Sequence, residues 1–344
     1  MRKKNVVSFL IWMVFISTGF VQSVKAEKHT VICDTFDIST VADGDIILVS
    51  GTVMLIGRCD IQKSVNILCA AGTKLTIHDL NVYPYSQSAA ALCFEGGLDN
   101  RLYVSGNNTL RGDSRYAAIS IAKNAALTID GDSCSNLIAY GTDNSAGIGG
   151  GYSSTDTCGT IIIDGGNITA TGGWGAGIGA GSCSFCENII INGGNITAIS
   201  GSSAGIGAGY YSGCGSVIVN GGHIFATANS FGAGIGAGNR SNSVCGLIEI
   251  NGGDITAISN WGAGIGASCY SCCRRIEING GKINTTGTSA CVGMQKESDP
   301  ATTCGLLIIN GGIIVANSQA VNKKSNFAEK DEIVNRAMIP GSNW

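Results

Sequence analysis

Apolar and polar residues alternate in short runs along most of this chain, and from residue 141 to 317 the same order of runs recurs. Each unit has an Ala-Gly-Ile-Gly run, a polar loop ending in Cys, a short apolar run, Asn-Gly-Gly, and then x-Ile-x-Ala. The Asn or Asp of the turn returns after 28, 28, 31, 28 and 31 residues, at Asp164, Asn192, Asn220, Asn251, Asn279 and Asn310. Such an internal repeat predicts stacked, equivalent structural units.

The runs on either side of the Asn-Gly-Gly turn predict two strands that each bury one face, because alternation with a period of two is typical of a half-buried strand. After the turn, the inward positions are Ile168, Ile196, Ile224, Ile255, Ile283 and Ile314, followed two residues later by Ala170, Ala198, Ala226, Ala257, Thr285 and Ala316. The outward positions between them hold Thr169, Thr197, Phe225, Thr256, Asn284 and Val315. Before the turn, Ile161 and Ile163 and their equivalents alternate in the same way. We expect the glycine pair to form the corner between the two strands, where positive φ is needed.

The Ala-Gly-Ile-Gly run supplies a third strand, whose alternate glycines indicate a close approach between backbones. Three short strands per unit without an intervening helix predict an all-β fold, a right-handed parallel β-helix with about 28–31 residues per coil. Equivalent residues then stack about 4.8 Å apart, and the turn asparagines form a ladder. A β-propeller or β-prism is the alternative, although blades of ~40 residues with four strands fit this period poorly.

The chain divides into four predicted segments. Residues 1–26 have a basic start, an apolar run and a small-residue cleavage site, which predicts a secretory signal peptide. Residues 27–133 contain less regular runs that we interpret as irregular coils of the same helix, and residues 134–317 form the regular array. Residues 318–344 predict a cap or tail over the open end of the solenoid. The protein is therefore expected to be secreted or located at the cell surface.

Composition limits the classes of binding partner that we expect. The chain has 52 Gly, only 3 Pro, 13% charged residues and a formal net charge of −3. Without a basic patch, nucleic acid is not expected as a partner. The mature chain has no second apolar stretch of membrane length, so no membrane span is expected.

Cysteine is abundant for a protein expected in an oxidising compartment, with 15 residues in the chain. Seven are assigned to one column, six of them six positions before the turn residue: Cys134, Cys158, Cys186, Cys214, Cys245, Cys273 and Cys304. Stacked cysteines have Cα atoms about 4.8 Å apart, which permits disulfides between neighbouring coils if a local shift brings the Cβ atoms closer. The alternative is a column of buried thiols. The additional Cys183, Cys269 and Cys272 are candidates for a loop disulfide. A zinc site is not predicted, because only three His are available as further ligands.

No catalytic cluster or cofactor motif is evident. The outward slots hold one acidic pair, Glu249 and Glu277, which we interpret as a solvated surface pair rather than as a Ca²⁺ site. The Gly-Ala-Gly-Ile-Gly runs belong to the repeat and lack the strand, helix and acidic context of a dinucleotide site. We therefore predict no catalytic residues, no metal and no cofactor.

One unit consists of Ala176-Gly177-Ile178-Gly179-Ala180-Gly181 and, further on, residues 189–198 with the sequence Ile-Ile-Ile-Asn-Gly-Gly-Asn-Ile-Thr-Ala. This unit resembles the glycine-rich repeats of secreted bacterial surface proteins. These are grouped with carbohydrate-binding β-helix proteins that are related in fold to pectate lyases. The resemblance covers roughly residues 66 to 317. It implies a β-helix and, more loosely, glycan binding or adhesion, whereas the dense cysteines depart from the usual repeat.

The functional hypothesis is a non-enzymatic exported protein, an adhesin or glycan binder, whose repetitive flank binds extended glycans or a host or cell-surface glycan. Its candidate binding residues are the aromatic side chains that flank the glycine runs: Tyr152, Trp174, Tyr210, Tyr211, Phe231 and Trp261. One alternative is a polysaccharide lyase or hydrolase, which requires Glu249, Glu277, Arg274 or the carboxylates Asp79, Asp99, Asp113 and Asp130 to converge on one groove. The other alternative is a purely structural surface protein.

Overall fold

The computed structural model describes residues 9–10, 27–59, 65–83, 90–153, 157–240, 243–268, 271–293 and 305–317. Within these ranges the regular structure is strand, apart from a single 3₁₀ turn at Ile38–Thr40. The strands stack into three parallel ladders that share one axis, so each turn of the chain adds one strand to each ladder. This is the predicted all-β parallel β-helix. Its right-handedness stays a prediction.

Sheet A holds the strands that precede the Asn-Gly-Gly turn: Asn100–Ser105, Ala126–Gly131, Thr157–Ile163, Phe185–Ile191, Gly213–Val219, Ser243–Ile250, Ser271–Ile278 and Leu306–Ile309. Sheet B holds the strands that follow the turn: Asn107–Arg111, Asn136–Tyr140, Asn167–Gly172, Asn195–Ser200, His223–Ala228, Asp254–Ser259, Lys282–Gly287 and Ile313–Ala316. Sheet C holds the strands of the Ala-Gly-Ile-Gly runs and their N-terminal equivalents: Asn66–Cys69, Leu92–Phe94, Ile119–Ile121, Ile148–Gly149, Ile178–Gly179, Ile206–Gly207, Ile235–Gly236, Ala263–Gly266 and Ala290–Gly293.

Near the N-terminal end, three longer strands bend and contribute to two sheets: Glu27–Asp37, Ile46–Arg58 and Lys74–Val82. A two-residue strand, Phe9–Leu10, pairs antiparallel with the first residues of Glu27–Asp37, and the other described pairings are parallel. The strands predicted in residues 27–133 are thereby confirmed, and the parallel pairing rules out the blades of a propeller.

One continuous apolar core fills the space between the three sheets. The six inward isoleucines of sheet B are buried, as are the alanines beside them up to Ala257 and the hydroxyl-bearing Thr285, whereas Ala316 in the last strand is half-buried. The outward positions Phe225 and Val315 are exposed, and Thr169, Thr197 and Thr256 are half-buried. The predicted assignment of faces is confirmed.

Two glycine positions show why the repeat needs this residue. The second glycine of the turn has positive φ, for example +89° at Gly194, and the sharp corner between sheets A and B depends on it. In sheet C, Gly179 has φ of +134°, and an added Cβ would lie 2.1 Å from the carbonyl oxygen of Gly207 in the next coil. The predicted close approach of backbones is therefore present at sheet C.

The predicted ladder at the turn is confirmed and has a direction. The side-chain amide of each Asn donates to the side-chain oxygen of the preceding coil, at 2.7 Å from Asn192 to Asp164 and 2.8 Å from Asn220 to Asn192. The same bond continues through Asn251, Asn279 and Asn310 at 2.9, 2.8 and 2.7 Å. Because the first member of the ladder only accepts, a carboxylate is suitable there, which explains Asp164.

The assignment of Cys134 to the cysteine column is wrong. In sheet B, Asn136 pairs with Asn167, so Cys134 lies level with the turn glycine Gly165 rather than with Cys158. It is exposed in the turn between Ala126–Gly131 and Asn136–Tyr140. The equal spacing to a later glycine misled the sequence reading, because Gly141 ends a sheet B strand and is not a turn glycine.

Several predicted features lie outside the described residues. These are nearly all of the signal peptide, the C-terminal cap or tail, and two cysteines, Cys269 and Cys304. The segment boundaries at residues 26, 133 and 317 stay predictions.

Candidate functional site

The predicted aromatic residues lie at one edge of the solenoid, on the loops before and after each sheet C strand. Each Ala-Gly-Ile-Gly-Ala run folds back on itself, because the backbone N–H of Ala176 donates to the carbonyl oxygen of Ala180 at 2.9 Å. The bond recurs in the next coil between Ala204 and Ala208 at 3.2 Å. The two flanking loops are thereby brought together at the surface. We call this surface the aromatic edge, formed by Tyr152, Trp174, Tyr210, Tyr211, Phe231, Arg240 and Trp261.

Three rings of the aromatic edge contact one another. The Trp174 and Tyr210 ring centroids lie 4.7 Å apart at an interplanar angle of 70°, and the Tyr210 and Tyr211 centroids lie 4.6 Å apart at 89°. The backbone N–H of Tyr210 donates to the carbonyl oxygen of Trp174 at 3.0 Å, so consecutive coils hold the pair in place. Trp174 is 47% exposed despite these contacts. The cluster is therefore held by its backbone, with the Trp174 and Tyr211 rings exposed to solvent and the Tyr210 ring half-buried between them.

Arg240 completes this cluster, and the sequence analysis missed it. Its guanidinium carbon lies 5.9 Å from the Tyr210 ring centroid, and its Nε donates to the Tyr210 hydroxyl oxygen at 3.1 Å. A cation over an aromatic face is attracted by the ring quadrupole. Arg240 therefore orients the Tyr210 ring and adds a positive charge beside it.

A second pair of rings lies further along the same edge. Phe231 and Trp261 are stacked, with centroids 5.9 Å apart and an interplanar angle of 28°. The pairing of Gly172, Ser200, Ala228 and Ser259 puts Trp174 and Trp261 at equivalent positions three rungs apart, about 14 Å at ~4.8 Å per rung. Tyr152 occupies the position of Tyr210 two coils earlier. All six predicted aromatic residues thus belong to one edge.

The three extra residues of the coil from Asn220 to Asn251 are inserted in the loops before and after its sheet C strand. The segment from Ala228 in sheet B to Ile235 in sheet C is one residue longer than the equivalent segment from Ser200 to Ile206. The loop from Gly236 to Cys245 is two residues longer than the equivalent loop one coil earlier. These insertions contain Phe231 and Arg240, and the strands of sheets A and B keep their length. Insertions in repeat proteins collect on one face, which is often the binding face.

The carboxylates required by an enzyme on this fold do not converge. Glu249 and Glu277 pair on adjacent strands of sheet A, as predicted. Glu277 forms an ion pair with Arg275 at 2.6 Å, and Glu249 accepts from the Asn251 amide at 3.0 Å. Four pairing steps separate Thr128, which lies two residues before Asp130, from Glu249, or about 19 Å along the axis.

The N-terminal carboxylates have local roles at turns. Asp79 accepts from the backbone N–H of Asn107 at 2.7 Å, and Asp130 from that of Gly131 at 2.8 Å. Asp113 accepts from the backbone N–H of Ser114, and Asp99 lies 3.5 Å from Arg101. Such bonds fix loop geometry. They do not assemble a groove.

The cysteine column runs through the core side of sheet A. Its described members pair in register from Cys158 to Cys273 and are buried. They are thiols in this structure. Hydrogen bonding to the Cys158 thiol, together with burial, raises the pKa of Cys186. Disulfides between neighbouring coils stay a prediction.

The cysteines of the loops are spread over different surroundings. Cys183 is half-buried in the loop after sheet C, and Cys272 is half-buried in a sheet A strand beside Cys273. Among the residues that the structure describes, no three His, Cys, Asp or Glu side chains form a group that could hold a metal ion.

Comparison with known families supports the architecture. A family model for a beta helix repeat matches residues 161–182, 189–210 and 248–269. Each matched segment begins in a sheet A strand and includes the turn, the sheet B strand and the sheet C strand that follow. Neither the curated proteins nor the solved structures contain a match.

In the described part of the chain, no helix has the length and apolar character to cross a membrane.

Proposed function

We propose that this protein is a secreted or surface-exposed β-helix protein that binds extended glycans through its aromatic edge, without cleaving them. The observation that carries the proposal is the set of solvent-accessible rings that cluster at one edge of the solenoid, where the coil from Asn220 to Asn251 carries its insertions. The matching beta helix repeats support the scaffold. The glycan is inferred from the chemistry of the edge.

Sugar rings suit this surface for a physical reason. A pyranose has an apolar face of C–H groups, and Trp and Tyr rings supply large, rigid apolar area with a polar group at the rim. Trp261 is 57% exposed and stacked on Phe231, so one of its faces is supported while much of its surface remains accessible. The guanidinium of Arg240 and the hydroxyl of Tyr210 lie close enough to bind sugar hydroxyls in the same contact.

The rung spacing suits a polymer. A solenoid presents equivalent positions at intervals of about 4.8 Å along its axis, and binding at several weak points raises affinity through effective concentration. A chain of sugars lying along the edge would contact the Trp174 cluster and the Trp261 pair together. Adhesion to a glycan-coated surface is the biological form of the same activity.

A glycan array combined with a product assay tests the proposal. We expect the mature protein to bind one class of oligosaccharide and to release no unsaturated or reducing-end products from acidic polysaccharides. The double variant Trp174→Ala/Trp261→Ala should lose binding, while Tyr103→Ala, an exposed aromatic on sheet A, should retain it.

Each other result identifies a different function. Product formation that a Glu249→Gln or Glu277→Gln substitution abolishes would replace the proposal with a polysaccharide lyase or hydrolase. Absence of both binding and product would favour a purely structural surface protein. Equal binding by wild type and the double tryptophan variant would remove the aromatic edge as the site.

A further inference from the structure

The outer face of sheet B contains a second feature with binding chemistry, separate from the aromatic edge. A shallow depression of about 300 Å³ spans three adjacent strands of this sheet. Its outward lining residues are Asn195, Thr197, His223, Phe225, Asp254 and Thr256, and two isoleucines lie beneath them. The two isoleucines are buried in the core, so the outward side chains define the chemistry of the depression.

Phe225 forms the apolar part of this depression. It is 41% exposed and replaces the threonine that occupies the same outward position one coil before and one coil after, at Thr197 and Thr256. A phenyl ring with hydroxyl groups on both sides resembles the surroundings that a sugar needs, an apolar surface flanked by hydrogen-bonding groups.

A row of polar side chains lines the depression beside Phe225. Asn195, His223 and Asp254 stand in register on the three strands, and Lys282 follows in the next coil. The Asn195 amide donates to the side-chain oxygen of Asn167 at 2.7 Å, which fixes the amide plane. Asp254 forms an ion pair with Lys282 at 3.2 Å. The row therefore offers hydrogen-bond donors and acceptors side by side, and the Asp254 carboxylate and the Lys282 ammonium offset each other's charge.

We propose that this depression is a second sugar subsite, which binds an uncharged pyranose unit of the glycan, with Phe225 under the ring and the polar row on its hydroxyls. The inference rests on the proposed function and adds to it a second contact surface and a preference for neutral sugars. The cancelling charges of Asp254 and Lys282 give a uronic acid no electrostatic advantage here.

The test compares two phenylalanines of the same exposure. Phe225→Ala removes the ring from the depression, and Phe185→Ala removes an equally exposed ring, at 41%, from sheet A. The probes are cellohexaose, maltohexaose and chitohexaose, with hexagalacturonate as the charged counterpart. We expect Phe225→Ala to weaken binding of the preferred neutral hexaose roughly 3- to 10-fold, the effect of losing one aromatic contact. Phe185→Ala should leave binding unchanged.

Histidine resonances give an independent readout, because the chain has only 3 His, at positions 29, 78 and 223. The preferred hexaose should shift the ring signals of His223, assigned with His223→Gln, and leave those of His29 and His78 in place. In Phe225→Ala the His223 shift at equal hexaose concentration should shrink.

The outcomes separate the two proposals. Wild-type binding that Phe225→Ala leaves intact, or unmoved His223 signals in the complex, overturns the second subsite while the aromatic edge stands. Equal losses in Phe225→Ala and Phe185→Ala, or tighter binding of hexagalacturonate, also overturn it. Failure of the wild type to bind any glycan on the array and any of the four probes overturns both proposals.

Discussion

Within one strand of sheet B, neighbouring residues experience opposite surroundings. Ile224 is 3% exposed and packs in the core, whereas Phe225 beside it points outward at 41% exposure. Selection for one residue type is therefore strict on the inward side. The outward side is free to vary, which is why Thr, Phe and Asn alternate there along the axis.

The two faces should differ in the cost of truncation. We expect Ile224→Ala to lower the free energy of unfolding by about 2–5 kcal/mol, because it leaves a cavity in a close-packed interior. Thr197→Ala on the outside should cost less than about 0.5 kcal/mol. Chemical denaturation of both variants measures the difference. Equal costs would show that the faces are reversed.

Sheet C should be equally intolerant of an added methyl group. Gly179→Ala places a Cβ about 2.1 Å from the carbonyl oxygen of Gly207 at φ of +134°, so we expect a loss of more than about 2 kcal/mol. At Gly96 an added Cβ meets no atom within 4 Å. Gly96→Ala is thus the matched control, and thermal unfolding of both variants provides the comparison. A tolerated Gly179→Ala would contradict the close approach of coils.

At the scale of an element, the ladder of turn amides joins coils in one direction. Each internal Asn uses its amide N–H to donate backwards and its oxygen to accept from the following coil. Only the first position, Asp164, accepts without donating along the ladder. The residue type at each rung follows from this role.

Because the ladder runs in one direction, exchanging Asn for Asp should cost a different free energy of unfolding from exchanging Asp for Asn. Asn220→Asp removes the donor to Asn192 and sets two oxygens against each other, which we expect to cost about 0.5–1.5 kcal/mol. Asp164→Asn keeps the acceptor for Asn192, so its cost should lie below that range. Urea denaturation at neutral pH compares them. A larger cost at position 164 would mean that the ladder does not run as described.

The buried thiols predict an alkaline limit to stability. Burial raises the pKa of Cys69 well above its usual range, and Cys186 is raised by its hydrogen bond to Cys158 and by burial. In the unfolded chain these thiols ionise near pH 8.5, so above that pH the unfolded state binds fewer protons than the folded state. Stability should therefore fall as pH rises from about 8.5.

Denaturation of the reduced protein between pH 7 and 10 measures this loss, after alkylation in denaturant has confirmed that the thiols are present. Cys186→Ala should flatten the pH dependence. Cys134→Ser, at an exposed turn, should leave it unchanged. A pH profile identical in wild type and Cys186→Ala would contradict the contribution of the column. A low thiol count in protein isolated without reductant would instead support cross-linked coils.

At the scale of the whole molecule, the regular coils from residue 164 onwards keep the same short turn between sheets A and B, while the loops beside sheet C differ in length. The rungs supply a fixed pitch, and the aromatic edge supplies the binding groups along it. A ligand that repeats along its own length gains from this arrangement in a way that a compact ligand does not.

Affinity should therefore rise with the length of the glycan. A disaccharide reaches one cluster of the aromatic edge, whereas a longer chain bridges the three rungs from Trp174 to Trp261, about 14 Å. We expect hexamers to bind at least ~10-fold more tightly than dimers of the same sugar. Titration calorimetry with a length series measures this, and Trp261→Ala should abolish the dependence on length. Equal affinities for all lengths would indicate a single isolated site.

The fold could be predicted from the sequence because burial restricts the inward positions to apolar residues and positive φ restricts the corner to glycine. Ile196 and Gly194 can therefore be assigned from the repeat alone. The aromatic edge was also visible, since large rings are rare in the polar loops. Arg240 and the depression at Phe225 were missed, because their significance depends on neighbours in adjacent coils. The steps of 31 residues did contain a signal for Arg240. Cys134 was misassigned since spacing alone cannot distinguish a turn glycine from the end of a strand.

The one-way ladder of turn amides has a consequence for how such a protein can change over generations. Every internal turn asparagine donates to the side-chain oxygen of the preceding coil and offers its own side-chain oxygen to the following coil. Duplication or deletion of one unit in the gene would therefore leave every amide donor of the ladder opposite an acceptor oxygen. The inward residues of neighbouring coils would still pack into the same kind of core. The length of the solenoid along its axis can therefore change in steps of about 4.8 Å, one coil at a time.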